Sequence, residues 1–169
     1  MFEITLLLIL LTCICQIVYT TITIGISPMP SSLKACQTMY EVSLQSKCKT
    51  IIDVGSGFGF LAIYFAFKYK DKKVIGYETS LFPWIVSMML KKICRCDNLS
   101  FYRKNYLTID LPNDCLFICY LFPAGMLLLE EKLKDSTTIV ISNTFSFKTK
   151  KTKQIIKVND LYKTPIYVY

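Results

Sequence analysis

The stretch TIIDVGSGFGFLAIYFAFKYKDKKVIGYE, residues 50–78, decides the fold. It begins with a β-branched apolar run, which is followed by glycines at alternate positions, Gly55, Gly57 and Gly59. This pattern predicts a strand that enters a tight turn. Apolar, helix-compatible residues then extend over 60–69, and a charged turn leads into a second β-branched run that ends on Glu78. The stretch therefore predicts a strand–turn–helix–strand unit with an acidic residue at the end of its second strand.

Each part of this unit suits a nucleoside cofactor. Glycines allow a ligand to approach the backbone closely, because they carry no Cβ. The turn also opens a helix, whose first N–H groups lack partners within the helix and favour electron-rich groups. A carboxylate at the tip of the neighbouring strand can accept both hydroxyls of a ribose. Glu78 lies 19 residues beyond Gly59, the spacing that such a carboxylate needs.

The glycine pattern narrows the choice of cofactor. It reads G-x-G-x-G, because Phe60 follows Gly59, whereas a dinucleotide fingerprint needs G-x-G-x-x-G. A P-loop is excluded, since no Lys-Ser or Lys-Thr pair follows the glycines. With Asp53 two residues before the first glycine, IIDVGSGFG resembles motif I of class I S-adenosylmethionine-dependent methyltransferases. The alternative is a glycine-rich turn that only connects a strand to a helix, and the joint presence of Asp53, the glycines and Glu78 disfavours it.

The N-terminal segment is apolar and uncharged. Residues 4–26 contain no charged side chain, and about 20 apolar residues suffice for a membrane-spanning helix. We interpret residues 1–26 as a retained single-pass anchor rather than a cleaved signal peptide, because residues 1–3 carry no Lys or Arg and an Ala-x-Ala site is absent. Lys34, Lys47 and Lys49 follow the segment, which places the C-terminal part on the cytosolic side.

The charge and the cysteine content limit which partners and metal sites the chain can have. The net charge is +8, which favours anionic headgroups next to an anchor. Nucleic acid is the alternative, but no binding module is visible and the basic residues are scattered. The eight cysteines show no C-x-x-C spacing and the chain has no histidine, so we expect free thiols and no metal site, with the motif C-R-C at 94–96 as the remaining metal or redox candidate.

The rest of the chain alternates strands with helices. Helices are predicted over 32–46, 83–93 and 123–134, and strands over 99–102, 115–121 and 137–142. Two final strands, 154–158 and 166–169, predict an antiparallel hairpin at the sheet edge. The pattern indicates an α/β, Rossmann-like sandwich with a mainly parallel sheet. The side chains predicted to face inward are Leu33, Cys36, Tyr40 and Leu44 on the first of these helices, and Leu127, Leu128 and Leu129 on the last, where Glu130, Glu131 and Lys132 are predicted to face outward.

A narrower resemblance rests on the order of several short motifs. An apolar segment, a Pro-containing linker, IIDVGSGFG, VIGYE, PW, FYRKN, YLFPAGM and LEEKL follow one another. This order is similar to that of a family of small, membrane-anchored class I methyltransferases, which includes bacterial members and mitochondrial lysine methyltransferases of the ADP/ATP carrier and the ATP synthase c subunit. The resemblance covers most of residues 25–141. It implies an anchor over 1–26, a linker with a short helix over 27–49, and a methyltransferase domain over 50–169.

The resemblance also implies roles for individual residues. S-adenosyl-L-methionine would be the cofactor, and Glu78 would hold its ribose hydroxyls. Asn105 stands where the family usually has an Asp beside the adenine, and residues 121–123 would lie near the transferred methyl group. The residues that would line the methionine end of the cofactor, with Asp53 beneath them, are Gly55, Ser56, Gly57 and Gly59.

The expected function is methyl transfer to a lysine of a protein near the membrane. Methylation of a lipid or quinone is the second possibility. The third is a cofactor-binding scaffold without turnover, because Phe58, Phe60, Asn105 and the segment 143–147 depart from the family pattern. No catalytic base can be assigned. Aromatic side chains could form an apolar mouth that keeps a lysine neutral, although ordinary core packing is the favoured role for any single one of them. The candidates are Phe58, Tyr77, Tyr106, Phe122, Phe145 and Phe147.

Overall fold

The computed structural model describes residues 3–5, 7, 11–12, 30–112, 114–134, 136 and 138–169. Strands alternate with helices in these residues, as the sequence predicts. The strands are β1 Thr50–Val54, β2 Lys73–Glu78, β3 Leu99–Arg103, β4 Cys115–Cys119, β5 Ile139–Asn143, β6 Gln154–Lys157 and β7 Pro165–Val168. The helices are α1 Leu33–Ser43, α2 Phe60–Lys68, α3 Leu81–Cys94 and α4 Pro123–Lys132.

The strands form one sheet in the order β3-β2-β1-β4-β5-β7-β6. Strands β1 to β5 are parallel, and β4, whose five residues are all buried, lies in the middle of the sheet. Such a continuous apolar run is typical of a parallel strand that is covered on both faces. Strand β7 pairs antiparallel with β5 and with β6, so the predicted hairpin at the sheet edge is confirmed.

Local signals in the sequence explain where three of the helices begin. The side chain of Ser32 accepts a hydrogen bond from the Ala35 N–H at 3.1 Å and caps α1. Gly59 adopts a left-handed conformation and turns β1 into α2. Pro123 occupies the first turn of α4, where its missing N–H removes no hydrogen bond.

The two faces of the sheet are covered differently. On one face, called the helical face here, α1, α2 and α3 pack over strand residues such as Ile51 and Leu116. The other, called the loop face, packs residues such as Ile52 and Phe117 against α4. The rest of its cover comes from the connections β3–β4 and β5–β6, residues 104–114 and 144–153, whose described residues form no helix.

The predicted inward side of α1 is wrong in part. Leu33 and Leu44 are 77% and 57% exposed, whereas Cys36 is buried and Tyr40 packs against the core. The residues that α1 buries are Ala35, Cys36, Met39 and Ser43. Most of these side chains are small, which lets the helix lie close to the sheet and to α2. The hydroxyls of Ser43 and Tyr69 form a hydrogen bond of 2.8 Å across that contact.

The predicted sides of α4 are also wrong in part. Leu127 and Leu128 are about half exposed, whereas Leu129 and Glu130 are buried. Glu130 turns inward because its carboxylate accepts hydrogen bonds from the backbone of residues 148–150. A buried carboxylate needs such partners.

Most of the predicted anchor, residues 1–26, lies outside the described residues. Among the residues that the structure describes, no helix is both long and apolar enough to cross a bilayer. The anchor and its orientation therefore stay predictions, as does the division of the chain at residues 26 and 49.

Candidate cofactor site

The turn between β1 and α2 has the backbone that its glycines permit. Gly55, Gly57 and Gly59 have φ angles of 70°, 52° and 83°, a region that strains residues with a Cβ. The N–H groups of Gly55 and Ser56 donate to the carbonyl oxygen of Tyr77 at 3.0 and 2.9 Å. These two bonds fix the turn against the end of β2.

The three glycines of the turn meet different surroundings. A Cβ on Gly55 would lie 2.5 Å from Leu121 Cδ2, and one on Gly59 would collide with the ring of Phe101. A Cβ on Gly57 would meet no atom of the described residues within 4 Å. Gly57 therefore presents its backbone to open space, as a residue that lies against a ligand must.

The acidic residue at the end of β2 reaches the glycine turn. Glu78 Oε2 accepts a hydrogen bond from the Gly57 N–H at 2.9 Å, and Oε1 accepts one from the Ser80 N–H at 2.7 Å. A carboxylate has about four acceptor positions, so both oxygens can still accept a ribose hydroxyl. Two features that the sequence predicted to meet, the turn and Glu78, thus lie side by side.

Two buried polar atoms beside the turn lack hydrogen-bond partners among the described residues. They are Asp53 Oδ2 and Ser56 Oγ. Burial raises the pKa of Asp53 to about 8; a hydrogen bond from the Ala62 backbone opposes this shift, and the charge of Glu78 adds to it. Buried polar groups are normally paired, so these atoms fit a site that receives a polar ligand.

Asn105 lies at the same edge of the sheet as Glu78. It follows the end of β3 by two residues, and Glu78 pairs with Arg103 in the register of β2 and β3. The Asn105 side chain is exposed, and its Oδ1 accepts a hydrogen bond from the Leu107 N–H at 3.0 Å. The side chain thus organises its own loop, and its predicted contact with adenine stays a prediction.

The aromatic residues proposed for the mouth differ in exposure, and four of them, Phe58, Tyr77, Phe122 and Phe145, are partly exposed. Tyr106 and Phe147 are buried in the loop-face core, so they do not line a mouth. Phe58 is partly exposed on the glycine turn, with its ring centroid 6.4 Å from that of Phe60 and 6.2 Å from that of Phe82. This cluster forms an apolar wall beside the turn.

Sequence reasoning missed the residues that support the turn from below. Phe101 on β3 packs under Gly59 and under Gly76, where a Cβ would collide with its ring. The signal for this contact was present, because a glycine within a strand often marks a close approach of other atoms. The carbonyl of Tyr77, which holds the turn, carries no such signal.

The described residues contain no group of three side chains that could hold a metal ion. The C-R-C motif does not form such a group, and the six cysteines in the described part of the chain are free thiols. Burial is the main reason why the pKa values of Cys36, Cys115 and Cys119 are raised to about 12. These thiols therefore stay protonated near neutral pH.

No protein-family model and no curated protein sequence matches the chain. Solved structures do match. The RNA methyltransferase of Salinibacter ruber, in complex with S-adenosyl-L-homocysteine, has a TM-score of 0.74 at 19% identity over 83% of this chain and 92% of that one. The chain has the class I methyltransferase fold.

Two further methyltransferases support this assignment. A SAM-dependent methyltransferase of Aquifex aeolicus has a TM-score of 0.63 at 14% identity, and covers 83% of this chain and 92% of that chain. The precorrin-6y C5,15-methyltransferase of Geobacter metallireducens has a TM-score of 0.62 at 9% identity, with coverages of 85% and 89%. At such identities the likeness concerns the fold, and the resemblance to the membrane-anchored family stays a prediction.

Proposed function

We propose that the chain is an S-adenosylmethionine-dependent methyltransferase. The observation that carries the proposal is the open space in front of Gly57, whose N–H is held by Glu78 at 2.9 Å. A glycine backbone exposed beside a carboxylate at the end of the next strand suits the ribose and the amino acid part of this cofactor. The fold, shared with methyltransferases crystallised with S-adenosyl-L-homocysteine, supports the same cofactor.

The residues at the turn fit the cofactor by their chemistry. The backbone from Gly55 to Gly59 would hold its methionine end, and Glu78 would accept hydrogen bonds from its ribose hydroxyls. The partnerless Oδ2 of Asp53 and Oγ of Ser56 would pair with polar groups that come with the ligand. Asn105, at the end of β3, would lie on the adenine side.

Chemistry at this site requires positioning and exclusion of water. When bound, S-adenosylmethionine supplies an electrophilic methyl group, so the protein needs no covalent intermediate. The apolar wall of Phe58, Phe60 and Phe82 would exclude water beside the turn. An acceptor lysine would lose its proton more readily against such a wall, because an apolar environment disfavours the ammonium form.

The proposed acceptor is a lysine of a protein near the bilayer, and the proposed anchor is residues 1–26, with the rest of the chain on the cytosolic side. Ser31, five residues beyond the anchor, accepts a hydrogen bond from Asn143 Nδ2 at 2.9 Å. Asn143 ends β5 at the same sheet edge where β1 meets the glycine turn. Ser31, the second described residue after the proposed anchor, therefore lies at the sheet edge that carries the glycine turn, which supports an acceptor close to the bilayer.

Calorimetric titration of the full chain in detergent tests the cofactor. We expect micromolar binding of S-adenosylmethionine and S-adenosylhomocysteine, and no binding of NAD. In Gly57→Arg a long side chain would fill the space before the turn, and binding should be lost. Gly57→Ala is the matched control, because it carries the same backbone strain without the bulk. Equal losses in both variants, or no binding by the folded wild type, would overturn the proposal.

Labelling with a radioactive methyl donor tests the acceptor. The full chain is incubated with membranes, and the label is followed into protein, solvent-extractable lipid and nuclease-sensitive material. Label in protein that is recovered as methyl-lysine supports the proposed acceptor. Label in solvent-extractable material would instead identify a lipid or quinone as the acceptor. Nuclease-sensitive label would identify RNA as the acceptor. Cofactor binding without label in any fraction would indicate a scaffold that has lost turnover.

A further inference from the structure

Helix α3 exposes an apolar stripe along its whole length. Its outward side chains include Met89, 59% exposed, and Ile93, 72% exposed. Positions spaced by three and four residues share one face of a helix. The members of this group, called the α3 stripe, are Leu81, Ile85, Met88, Met89 and Ile93.

The stripe is not the side of α3 that packs on the sheet. The residues that α3 buries are Pro83 and Ser87, and Trp84 packs into the core with its Nε1 3.5 Å from the Phe101 carbonyl oxygen. Two phenylalanines on the neighbouring α2, Phe60 and Phe67, are also about half exposed. The apolar surface therefore extends over two adjacent helices of the helical face.

Basic residues border this surface, and α3 contains no acidic residue. Lys91 and Lys92 lie in the last turn of α3, and Arg95 follows as its C-cap. On the α2 side, Lys70 Nζ lies 4.9 Å from the centre of the Phe67 ring. An apolar stripe with cationic side chains at its margin is typical of helices that lie in the interface of an anionic bilayer.

The stripe begins beside the candidate cofactor site. Helix α3 starts three residues after Glu78, and Phe82 in its first turn contacts Phe58 on the glycine turn. A surface that binds the α3 stripe would therefore also contact the apolar wall of Phe58, Phe60 and Phe82 beside the glycine turn.

We propose that the α3 stripe docks on the surface of an anionic bilayer, so that the glycine turn faces the headgroup region. The inference rests on the proposed anchor and does not depend on methyl transfer. The uncharged segment 4–26 ends a few residues before Ser31, too short a connection for the domain to lie far from the membrane. An acceptor group would then reach the site from the plane of the bilayer.

The charges disfavour the two other occupants. A second copy packed stripe to stripe would bring the basic cluster Lys91, Lys92 and Arg95 close to the same cluster of the other copy. In an antiparallel pair it would lie against the positive N-terminal end of the other α3, whose first turn has no acidic residue. RNA would find phosphate-binding groups only at the margin, in Lys91, Lys92 and Arg95, and no aromatic stacking group among the members of the stripe, whereas a bilayer uses both the apolar stripe and its basic margin.

The single tryptophan of the chain, Trp84, lies on α3 and reports its position. The full chain is reconstituted into phosphatidylcholine–phosphatidylserine vesicles whose acyl chains carry bromine near the headgroups. We expect the lipid to quench Trp84 fluorescence. The double variant Ile85→Glu, Met89→Glu places charges in the stripe and should lose most of this quenching. The matched control, Leu127→Glu with Leu128→Glu, alters equally exposed residues of α4 and should keep it.

A second arm tests the charge complementarity. The variant Lys91→Gln, Lys92→Gln should lower the ratio of docked to undocked protein about fivefold for each basic residue removed. The loss should be confined to anionic vesicles and should grow smaller in high salt.

Any of four results would overturn the proposal, and the first three concern quenching and oligomeric state. They are an unquenched Trp84 in the wild type, equal losses in the α3 and α4 variants, and a dimer that the Ile85→Glu, Met89→Glu variant dissociates without a change in quenching. The fourth is crosslinking of the α3 stripe to RNA without quenching of Trp84 by lipid, which would show that RNA and not the bilayer occupies the stripe. Calorimetry on the same variants separates this inference from the proposed function, because the α3 variants should keep their affinity for S-adenosylmethionine.

Discussion

The two faces of the sheet are stabilised in different ways. On the helical face, α1, α2 and α3 bury apolar side chains such as Met39 and Phe65, both fully buried. On the loop face, α4 lies between two irregular connections, 104–114 and 144–153. Irregular backbone cannot satisfy its own N–H and C=O groups as a helix does, so other groups must bind them.

Two charged residues of α4 supply those partners. Glu130 accepts four hydrogen bonds of 2.5–2.9 Å from the backbone of residues 148–150 and the Thr149 hydroxyl. Lys132 Nζ donates to the carbonyl oxygens of Leu107 and Ile109 at 3.0 and 2.8 Å. One carboxylate thus holds the β5–β6 connection and one ammonium holds the β3–β4 connection. The comparison shows that charged side chains of one helix can tie down connections where no further helix packs.

The largest effect is expected on the helical face. Phe65→Ala would leave a cavity in the fully buried core between α2, α1 and the sheet, and should lower the free energy of unfolding by about 3–5 kcal/mol. Urea unfolding followed by Trp84 fluorescence measures it. Phe67→Ala, two residues on and half exposed, is the control and should change stability little. Similar losses in both variants would show that apolar packing does not dominate this face.

A smaller effect is expected for the carboxylate of the loop face. Glu130→Gln keeps the shape of the side chain but replaces one acceptor oxygen by a donor, so backbone N–H groups lose their partner. We expect a loss of about 3 kcal/mol in the free energy of unfolding. Amide exchange should accelerate at residues 148–150 and stay unchanged at 105–112. Glu131→Gln, its exposed neighbour, is the control.

The contribution of Glu130 should depend on pH. Burial pushes its pKa up, but the hydrogen bonds from Thr149, Lys150 and Lys148 outweigh burial and hold the pKa below its usual value of 4.5. Because the folded state favours the charged form, the stabilisation is complete above about pH 4.5 and is lost as pH falls through the folded pKa. The difference between wild type and Glu130→Gln should therefore shrink in acid. A difference independent of pH would contradict this explanation.

The contrast between the faces also explains which features the sequence could predict. The glycine turn and Glu78 lie within one stretch of 29 residues, 50–78, and local patterns specify their strand, turn and helix. The direction of Glu130 could not be predicted, because its partners are 18–20 residues away and are backbone groups, which leave no mark on the sequence. The consecutive leucines 127–129 gave no helical periodicity to correct the error. On α1 the two leucines suggested the wrong side in part, since three of the four residues that the helix buries, Ala35, Cys36 and Ser43, are small.

The smallest effect is expected for the ammonium of the loop face. Lys132→Met keeps the apolar stem and removes both hydrogen bonds to the β3–β4 connection, which should cost about 1.5–2 kcal/mol because the two carbonyl oxygens can partly turn to water. The pattern of amide exchange should be the reverse of that for Glu130→Gln. Exchange should become faster at residues 105–112 and stay unchanged at residues 148–150. Lys134→Met is the control, because Lys134 is exposed. Acceleration at both connections in either variant would mean that α4 holds them as one cooperative unit, whereas separate responses establish that each charge holds its own connection.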